Sequence, residues 1–363
     1  MKLVIQPEDG PEALLAAIRG AKKSVEIIIF RFDRADIEAA LKAAVARGVA
    51  VSALIAYTNR GGELNLRKLE MRLLEVGVSV SRTAGDLVRY HDKLLIIDRK
   101  LLFVMSFNLT HLDIDHSRGF AIVTRSTRLV QEALRLFEAD STRTPYTPTL
   151  KDFVVSPVNA RQVLGEFIDK AKKQLLIYDP TIADPAMLRA LGDRKKAGVE
   201  IRVIGHVSKQ HPGLEGRKLA KIRLHTRTII RDHEQAFVGS QSLRAIELDS
   251  RREVGVIVRE PSVVSGLLKT FEADWLASAP AVGEQAASET IELKKATKDL
   301  AKDLVKELST LNPIVKEALK DAKAGVGESA LSSEDLKETV KGAVKEAILE
   351  RVEEAVKESL AAT

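Results

Sequence analysis

The feature that most limits how this chain can fold is an internal repeat. The segment HDKLLIID at residues 91–98 recurs as HTRTIIRD at residues 225–232, an offset of 134 positions. The same offset brings the tetrapeptide FEAD at 137–140 onto FEAD at 271–274. Agreement in one register predicts two halves that share a fold. Further matches at this offset are Ser106 with Ser240, Asn108 with Ser242, and Arg118 with Arg252.

Upstream of the repeated octapeptide, the offset grows to 150 positions, because Gly48 aligns there with Gly198. The first half therefore has 16 extra residues before its octapeptide, which predicts an additional loop and helix. In both halves, apolar segments alternate with helical patterns such as ADIEAALKAAVARG. This alternation predicts an α/β fold of two sandwich halves, each a mostly parallel sheet between helices, related by a pseudo-two-fold axis. The octapeptide itself is predicted to be a strand, and a loop is predicted after the strand that follows it.

The repeat and the composition together predict three regions. These are a first half at residues 1–148, a second half at 149–280, and a linker with a helical tail at 281–363. The tail holds 12 Lys and 1 Arg against 17 acidic residues, whereas residues 1–280 hold 44 basic and 34 acidic residues. The positive charge thus belongs to the repeated body, as expected of a protein that handles the phosphates of nucleic acids or lipids, and it is equally compatible with a role in solubility alone.

Two apolar stripes run through residues 289–361 and predict amphipathic helices. Their net charge is negative and they contain neither Trp nor Phe, which disfavours binding to an anionic bilayer. We therefore expect these helices to pair with each other, with a second copy of the chain or with a partner protein. The stripes include Leu300, Leu304 and Leu308 before Pro313, and Val344, Ile348 and Val352 after it.

The composition also excludes several classes of site. The chain has no cysteine, which excludes disulfides, a thiolate nucleophile and cysteine-ligated zinc. No uninterrupted apolar segment approaches ~18 residues, and the first residues lack a signal-peptide pattern. We expect a cytoplasmic protein without a transmembrane segment, with attachment to the membrane surface as an alternative.

The repeated octapeptides carry the residue types needed to handle a phosphodiester at an interface between the halves. Lys93 and Arg227 can bind its non-bridging oxygens. One of His91 and His225 can attack phosphorus, and the other can protonate the departing oxygen. This scheme requires neither a metal nor a cofactor. Four polar residues after the motif strands can add neutral hydrogen-bond donors: Ser106, Asn108, Ser240 and Ser242.

These residues resemble the signature of the phospholipase D superfamily, HxKxxxxD followed by GSxN, which occurs twice or is contributed by two subunits. The resemblance extends over about residues 10–278. It implies that one histidine forms a phosphohistidine while the other acts first as general acid and then as general base. We predict His91 as the nucleophile because its copy retains Lys93 and Asn108. The first copy is His91, Lys93, Asp98, Ser106 and Asn108, with Met105 in place of the glycine, and the second is His225, Arg227, Asp232, Gly239, Ser240 and Ser242.

Each copy departs from the signature. Arg227 keeps the positive charge but is bulkier than lysine, and Ser242 is shorter than asparagine. Family members often carry an acidic residue about a dozen positions after GSxN that orients an imidazole. Glu253 matches that residue, whereas Gly119 stands at the equivalent position of the first half. Two further signature residues are predicted to support the structure through hydrogen bonds near a strand end: Asp98 and Asp232.

Three functions are compatible with this sequence. The preferred one is a phosphodiesterase or phosphatidyltransferase acting on phospholipids, because the segment MSFNLTHLDIDHSRGFAIVT is similar to lipid-acting and uncharacterised bacterial members of the family. The second is a nuclease using the same site, which the basic body favours and the aromatic content of 4% does not. The third is a catalytically weak assembly or binding protein that depends on the helical tail.

A metal site is an alternative within the same segment, where His111 and His116 lie close to two aspartates. We favour a polar loop beside the active site instead, and we predict no bound metal.

Overall fold

The computed structural model describes residues 1–57, 63–208 and 213–280. One compact unit, residues 1–281, contains both copies of the repeat. The region predicted at 281–363, including the helices expected within 289–361, lies outside the described residues.

The first half alternates strands and helices in the order that the sequence predicts. Helix α5 shows why such segments are helical, since Leu129, Ala133 and Leu136 recur at helical spacing and are buried against the sheet. The strands are β1 (Lys2–Gln6), β2 (Ser24–Ile29), β3 (Ala50–Ile55), β4 (Ser79–Arg82), β5 (Arg89–Tyr90), β6 (Leu94–Ile97), β7 (Leu101–Met105) and β8 (Ser117–Thr124). The helices are α1 (Glu12–Gly20), α2 (Ala35–Ala46), α3 (Glu63–Leu74), α4 (His111–Asp115) and α5 (Thr127–Thr142).

The second half repeats this order. Helix α7 begins with two local signals, because the Asp184 carboxylate accepts hydrogen bonds from the amides of Ala186 and Met187, and Pro185 occupies the first turn. The strands are β9 (Phe153–Ser156), β10 (Gln174–Ile182), β11 (Glu200–Val207), β12 (Gly216–Leu219), β13 (Arg223–Leu224), β14 (Arg227–Arg231), β15 (Gln235–Gly239), β16 (Arg251–Val258) and β17 (Ser278–Pro280). The helices are α6 (Ala160–Asp169), α7 (Pro185–Lys196), α8 (Ala245–Asp249) and α9 (Pro261–Leu276).

The two sheets have the same strand order. In the first half the order is β1-β8-β7-β6-β2-β3-β4, and in the second it is β9-β16-β15-β14-β10-β11-β12, with β17 added beyond β12. The predicted α/β fold of two equivalent halves is therefore confirmed. The 16-residue excess of the first half contains helix α3, as the sequence predicts.

The prediction of mostly parallel sheets is wrong, because each sheet is mixed. The β2-β3-β4 run and its counterpart β10-β11-β12 are parallel. The strands around the motif are antiparallel, since β6 and β7 are joined by a tight turn. In that turn Asp98 and Arg99 have φ values of 53° and 52°, and the amide of Lys100 donates to the carbonyl of Ile97 at 2.9 Å. Such a type I′ turn links only antiparallel neighbours.

Two local predictions also need correction. The motif strands begin at Leu94 and Arg227, so that His91, Lys93 and His225 lie in the segments that lead into strands or at their edge. The predicted loop after β7 contains the short helix α4, whose first turn is capped by the Thr110 hydroxyl accepting from the amide of Asp113 at 3.2 Å. Helix α8 occupies the same place in the second half.

The halves exchange their shortest strands. Strand β5 of the first half pairs in parallel with β16 of the second, and β13 of the second half pairs in parallel with β8 of the first. Each exchanged strand immediately precedes a motif histidine. The exchange therefore carries each histidine across the interface to the sheet of the opposite half.

Packing and ion pairs hold the halves together. One apolar core contains residues of both sheets, including Phe120 and Tyr178, whose rings meet edge to face at 5.6 Å. The arginine and the aspartate that recur at the 134-residue offset form two buried ion pairs across the interface. Arg118 pairs with Asp274 at 2.7 Å, and Arg252 pairs with Asp140 at 3.0 Å. The repeated FEAD tetrapeptide thus supplies a buried anion to the opposite half.

Candidate functional site

Strand exchange places His91 beside Glu253. The amide of His91 donates to the carbonyl of Arg252 at 2.8 Å, extending the pairing of β5 with β16. The imidazole Nδ1 then lies 3.0 and 2.9 Å from the two carboxylate oxygens of Glu253. Glu253 is fully buried, so its carboxylate holds the ring in a fixed orientation. The acidic residue identified in the second half thus orients the histidine of the first.

His225 occupies the equivalent place without an equivalent partner. Its amide donates to the carbonyl of Arg118 at 3.2 Å, but Gly119 stands where the other half has a glutamate. A Cβ atom at position 119 would lie 2.9 Å from Phe107 Cδ1, so Phe107 fills the space that a larger residue would need. The Nδ1 atom of His225 is buried and has no hydrogen-bond partner among the described residues. Its Nε2 lies 3.4 Å from Asp113 Oδ2.

The two motif cations lie next to the imidazoles. Lys93 is buried, and its Nζ donates to the carbonyl of His91. Arg227 donates from Nη1 to the carbonyl of His225 at 2.6 Å and from Nε to Ser242 Oγ at 3.1 Å. Both side chains thus use a donor to fix their own motif segment and keep further N–H groups for a ligand.

Two acidic residues that sequence analysis missed organise the loops after β7 and β15. Asp113 accepts from the amide of Asn108 at 2.8 Å and from its Nδ2 at 2.6 Å. Glu247 accepts from the amide of Ser242 at 2.8 Å. These two acids are separated by the same 134-residue offset as the motifs. The repeat could therefore have identified them.

The two signature serines face the backbone. Ser106 Oγ accepts from the amide of Phe120 at 2.9 Å, and Ser240 Oγ accepts from the amide of Val254 at 3.1 Å. Both residues are fully buried and lie outside the cleft lining. The Ser240 hydroxyl also acts to lower the pKa of the neighbouring Glu253 carboxyl group.

The signature aspartates lie in the turns at the far ends of the motif strands. Asp98 accepts from the amides of Lys22, Lys23 and Ser24 at 3.0, 2.6 and 3.0 Å. Burial acts to raise the pKa of Asp98, but these amides lower it overall. Asp232 makes the equivalent set of contacts with the amides of residues 172–174. In this position the aspartates tie each motif hairpin to the start of the neighbouring strand.

The imidazoles line one shared cleft of about 270 Å³. Three larger depressions on the same unit contain no histidine. Among the described residues that line the cleft, Phe30 alone is apolar. Half of the residues that line the cleft are arginines, of which sequence analysis identified only Arg227: Arg31, Arg89, Arg223, Arg227, Arg244 and Arg251.

Burial and positive charge set the protonation of this cleft. Burial, together with Lys93 and Arg227, holds the pKa of His91 well below its usual range, and burial with the same two cations does so for His225. Burial also lowers the pKa of Lys93 to about 7. For Glu253, burial raises the pKa to about 7 against the opposing effect of Lys93 and Arg227. The unliganded cleft thus favours neutral imidazoles beside cations, an arrangement suited to an anionic ligand.

The alternative metal site is occupied by an ion-pair network. His111 Nδ1 lies 2.9 Å from Asp115 Oδ2, and Arg34 pairs with the same carboxylate at 2.7 Å. An arginine at this carboxylate opposes a metal cation there.

Within the described ranges, no helix has the length and apolar composition needed to cross a bilayer.

Comparison with known proteins identifies the family. Residues 14–141 and 164–275 match the family described as "Cardiolipin synthase, PLD-like domain". No curated protein matches the chain in sequence.

Two solved structures, a polyphosphate kinase and a phosphatidylserine synthase, share the fold of this chain. Polyphosphate kinase from Porphyromonas gingivalis is similar with a TM-score of 0.63 and 19% identity, over 76% of this chain and 50% of that protein, so the present chain spans half of its length. Phosphatidylserine synthase from Haemophilus influenzae Rd KW20 has a TM-score of 0.60 and 11% identity, over 84% of this chain and 94% of the synthase. Nuc from Salmonella typhimurium, a phospholipase D family member, has a TM-score of 0.37 and 24% identity, over 41% of this chain and 97% of Nuc.

The family match includes both halves, and with them both motif histidines and the motif cations Lys93 and Arg227. The chain therefore belongs to the phospholipase D superfamily of phosphodiesterases.

Proposed function

We propose that the chain cleaves or transfers phosphodiester bonds by way of a phosphohistidine on His91. The observation that carries this proposal is the convergence of His91 and His225 on one cleft, each within the electrostatic reach of Lys93 and Arg227. A phosphodiester is an anion with two non-bridging oxygens, and the two cations can supply hydrogen-bond donors to both of these oxygens.

His91 is the better nucleophile of the two histidines. Its Nδ1–H donates to the Glu253 carboxylate, which leaves the lone pair on Nε2 available for attack. Its lowered pKa keeps the ring neutral, as a nucleophile must be. When phosphorus bonds to Nε2, the ring becomes cationic, and the negative charge of Glu253 stabilises that change.

The proposed reaction has two displacements at phosphorus. In the first, the Nε2–P bond forms while the bond from phosphorus to the leaving oxygen breaks, and this oxygen takes a proton from His225. In the second, His225 removes a proton from water or an alcohol, whose oxygen attacks phosphorus while the Nε2–P bond breaks. Water yields a phosphomonoester, and an alcohol yields a new diester. The imidazole of His91 is regenerated in both cases.

His225 must be protonated at the start of the reaction, although its surroundings hold its pKa low. Burial, Arg227 and Lys93 are the main causes of that low pKa. A bound phosphodiester adds a negative charge between these cations and therefore raises the proton affinity of His225. Since Nδ1 is buried, Nε2 is the nitrogen through which His225 would exchange the proton.

The class of substrate is a further part of the proposal. The family description favours phospholipid transfer, which the sequence analysis also prefers. A nuclease is supported by a different observation, the row of arginines along the cleft. The catalytically weak assembly protein is the reading in which none of the proposed steps occurs.

Rapid mixing with bis(p-nitrophenyl) phosphate tests the chemistry without a choice between lipid and nucleic acid. The leaving nitrophenolate needs little protonation, so His225→Ala should release about one equivalent per chain in a burst and then stall for lack of a general base. Mass spectrometry of protein quenched at alkaline pH should then find a phosphoryl adduct on His91.

His91→Ala should form neither burst nor adduct. His206→Ala is the matched control, because His206 is exposed and does not line the cleft. A burst of unchanged size in His91→Ala would refute the assigned nucleophile. The absence of turnover and adduct in the wild type would favour the assembly reading.

A further inference from the structure

We propose that Arg31 and Arg89 bind a second phosphate of the same substrate molecule, beside the reacting one. The substrate is then a chain of phosphodiesters, as in a strand of nucleic acid, rather than a single diester with acyl chains. This inference rests on the proposed function and specifies the class of substrate that the cleft accepts.

The two arginines lie around a single aromatic ring next to the proposed nucleophile. Arg31 follows Phe30 at the carboxyl end of β2, and Arg89 lies in the exchanged strand β5. Their guanidinium carbons lie 5.7 and 5.3 Å from the centroid of Phe30. The same ring meets His91 edge to face with 4.5 Å between the ring centroids. The pair therefore lies beside the reacting group.

The other rim arginines already have carboxylate partners. Arg223 pairs with Asp113, and Glu247 lies 3.1 Å from Arg251 and 3.5 Å from Arg244. Within the described residues, neither Arg31 nor Arg89 hydrogen-bonds or ion-pairs with a carboxylate. Lys93 and Arg227 are assigned to the reacting phosphate. Two cations consequently exceed what a single phosphodiester requires.

The repeat explains why Arg89 does not ion-pair with a carboxylate among the described residues. Arg89 and Arg223 are equivalent in the two halves, as are Glu247 and Asp113, so that Arg89 would be expected to pair with Glu247. Arg244 and Arg251 take that carboxylate instead, and the first half has Thr110 and Ser117 at the positions equivalent to them. The second half thus has two arginines without counterparts in the first half. They pair with the carboxylate that Arg89 would otherwise use, and Arg89 lines the cleft.

The charges around Arg89 act on balance against its protonated form. Burial lowers the pKa of Arg89 and the cations Arg251 and Arg31 add to that effect, which outweighs the opposite effect of Glu253 and Glu247. A phosphate bound between Arg31 and Arg89 would relieve the repulsion and accept hydrogen bonds from two planar guanidinium groups.

The cleft also lacks surface for an acyl chain, since Phe30 is the one apolar side chain in its described lining. The body as a whole is basic, with 44 basic and 34 acidic residues in positions 1–280. Both properties fit a polyanionic chain lying across the cleft.

Four chromogenic esters test the second phosphate directly. They are the p-nitrophenyl esters of thymidine 5′-phosphate and thymidine 3′-phosphate, each with and without a phosphate on the other hydroxyl. In at least one polarity, wild-type kcat/KM should be about tenfold higher for the doubly phosphorylated ester, a factor typical of a well-placed charged contact. Equal kcat/KM values within both pairs would overturn the proposal.

Variants assign the effect to the two arginines. Arg31→Gln with Arg89→Gln should reduce the tenfold preference to less than about twofold, whereas Arg31→Lys with Arg89→Lys should retain part of it because the charge remains. Arg125→Gln with Arg128→Gln removes the same charge from exposed positions outside the cleft and should keep the wild-type preference. A preference that survives Arg31→Gln with Arg89→Gln would contradict the assigned residues.

Binding separates this inference from the proposed chemistry. In full-length His91→Ala protein, a fluorescein-labelled thymidine hexanucleotide should bind with a salt dependence whose slope falls by about 0.7 when Arg31→Gln and Arg89→Gln are added, as expected for one lost phosphate contact on a single strand. Binding to phosphatidylglycerol vesicles that depends on these arginines, without hexanucleotide binding, would overturn the phosphodiester-chain substrate. If wild type forms no His91 adduct although hexanucleotide binding depends on Arg31 and Arg89, the proposed reaction fails and the anion site stands.

Discussion

The two motif histidines have equivalent backbone positions and unlike surroundings. His91 has a buried carboxylate 2.9 Å from its Nδ1, whereas the Nδ1 of His225 faces a site that Gly119 leaves without a carboxylate. The cause is the residue directly after the signature serine of each half, which is Phe107 after Ser106 in the first half and Gln241 after Ser240 in the second. Phe107 packs against Gly119, while Gln241 instead donates to the carbonyl of Val154 at 3.0 Å.

This difference indicates a division of labour between the halves. A nucleophile benefits from a fixed tautomer and from an anion that stabilises its cationic adduct, and His91 has both. A group that must give up a proton and then recover it needs a pKa that changes with the charge of the ligand. His225, which lies among cations, fits the second role.

The largest effect is expected from Glu253→Gln. The amide can still accept from Nδ1, but it cannot neutralise the positive charge that develops on His91. We expect kcat to fall by about 10²-fold with a smaller change in KM, within the range typical of acid–base and orienting groups. Steady-state release of nitrophenolate from bis(p-nitrophenyl) phosphate measures kcat and KM.

Glu132→Gln is the control for the loss of a buried glutamate as such. Glu132 is buried on α5 and accepts from the Tyr146 hydroxyl at 2.6 Å, away from the cleft. An equal fall of kcat in both variants would indicate a general loss of structure and would remove the contrast between the histidines.

Sequence analysis predicted the parts of this site that repeat. One offset identified His91 with His225 and Lys93 with Arg227, and the α/β halves followed from alternating patterns. It missed the exchanged strands, because β5 and β13 have two residues each and carry no periodicity that a pattern could reveal. Without the exchange, nothing in the sequence indicates that Glu253 orients the histidine of the other half.

The arginine rim was missed for two different reasons. Arg89 and Arg223 recur at the offset of the motifs and could have been found by extending the comparison upstream. Arg31 has no such counterpart, since the 150-residue offset places it opposite Thr181. Its position depends on the end of β2 lying beside the exchanged strand, which is a property of the three-dimensional fold. Similarly, only the structure reveals that the Ser106 hydroxyl accepts a hydrogen bond from the backbone amide of Phe120.

At the signature aspartates we expect no difference between the halves, because Asp98 and Asp232 make equivalent hydrogen bonds. In Asp98→Ala, three backbone amides lose the carboxylate that accepts their hydrogen bonds. The substitution also places alanine, which tolerates the left-handed conformation less well than aspartate, at a φ of 53°. We expect the free energy of unfolding to fall by about 2 kcal/mol, and Asp232→Ala to do the same. Urea denaturation measures both.

Asp98→Asn retains the turn conformation and one oxygen acceptor, and it should recover about half of this loss. If either alanine variant lowered kcat by more than tenfold at unchanged stability, the aspartates would have a direct role in the cleft.

Packing around Gly119 tests why His225 lacks the carboxylate partner that His91 has. In Gly119→Ala the new Cβ would lie 2.9 and 3.1 Å from two atoms of Phe107, which is fully buried. We expect a loss of about 1–2 kcal/mol in the free energy of unfolding, as in other overpacked cores. In the double variant with Phe107→Leu, part of that loss should return, and a double-mutant cycle measures the coupling. Additive effects would show that Phe107 does not exclude a side chain here.

The smallest effect concerns the two motif cations, lysine in one half and arginine in the other. Burial lowers the pKa of Lys93 to about 7, so its ammonium predominates below that pH and is lost above it. Because an ammonium binds phosphate and an amine does not, wild-type kcat/KM should fall roughly tenfold between pH 7 and 8.5. Arginine stays protonated throughout this range, and Lys93→Arg should therefore abolish the alkaline fall.

The acid side of the same profile provides the control for Lys93→Arg. Burial raises the pKa of Glu253 to about 7, so that its carboxylate, which holds His91 Nδ1, is lost as the pH decreases through 7. Both wild type and Lys93→Arg should thus lose activity on the acid side, and only wild type should lose it on the alkaline side. An alkaline fall that persists in Lys93→Arg would assign the titration to another group and make the two cations equivalent.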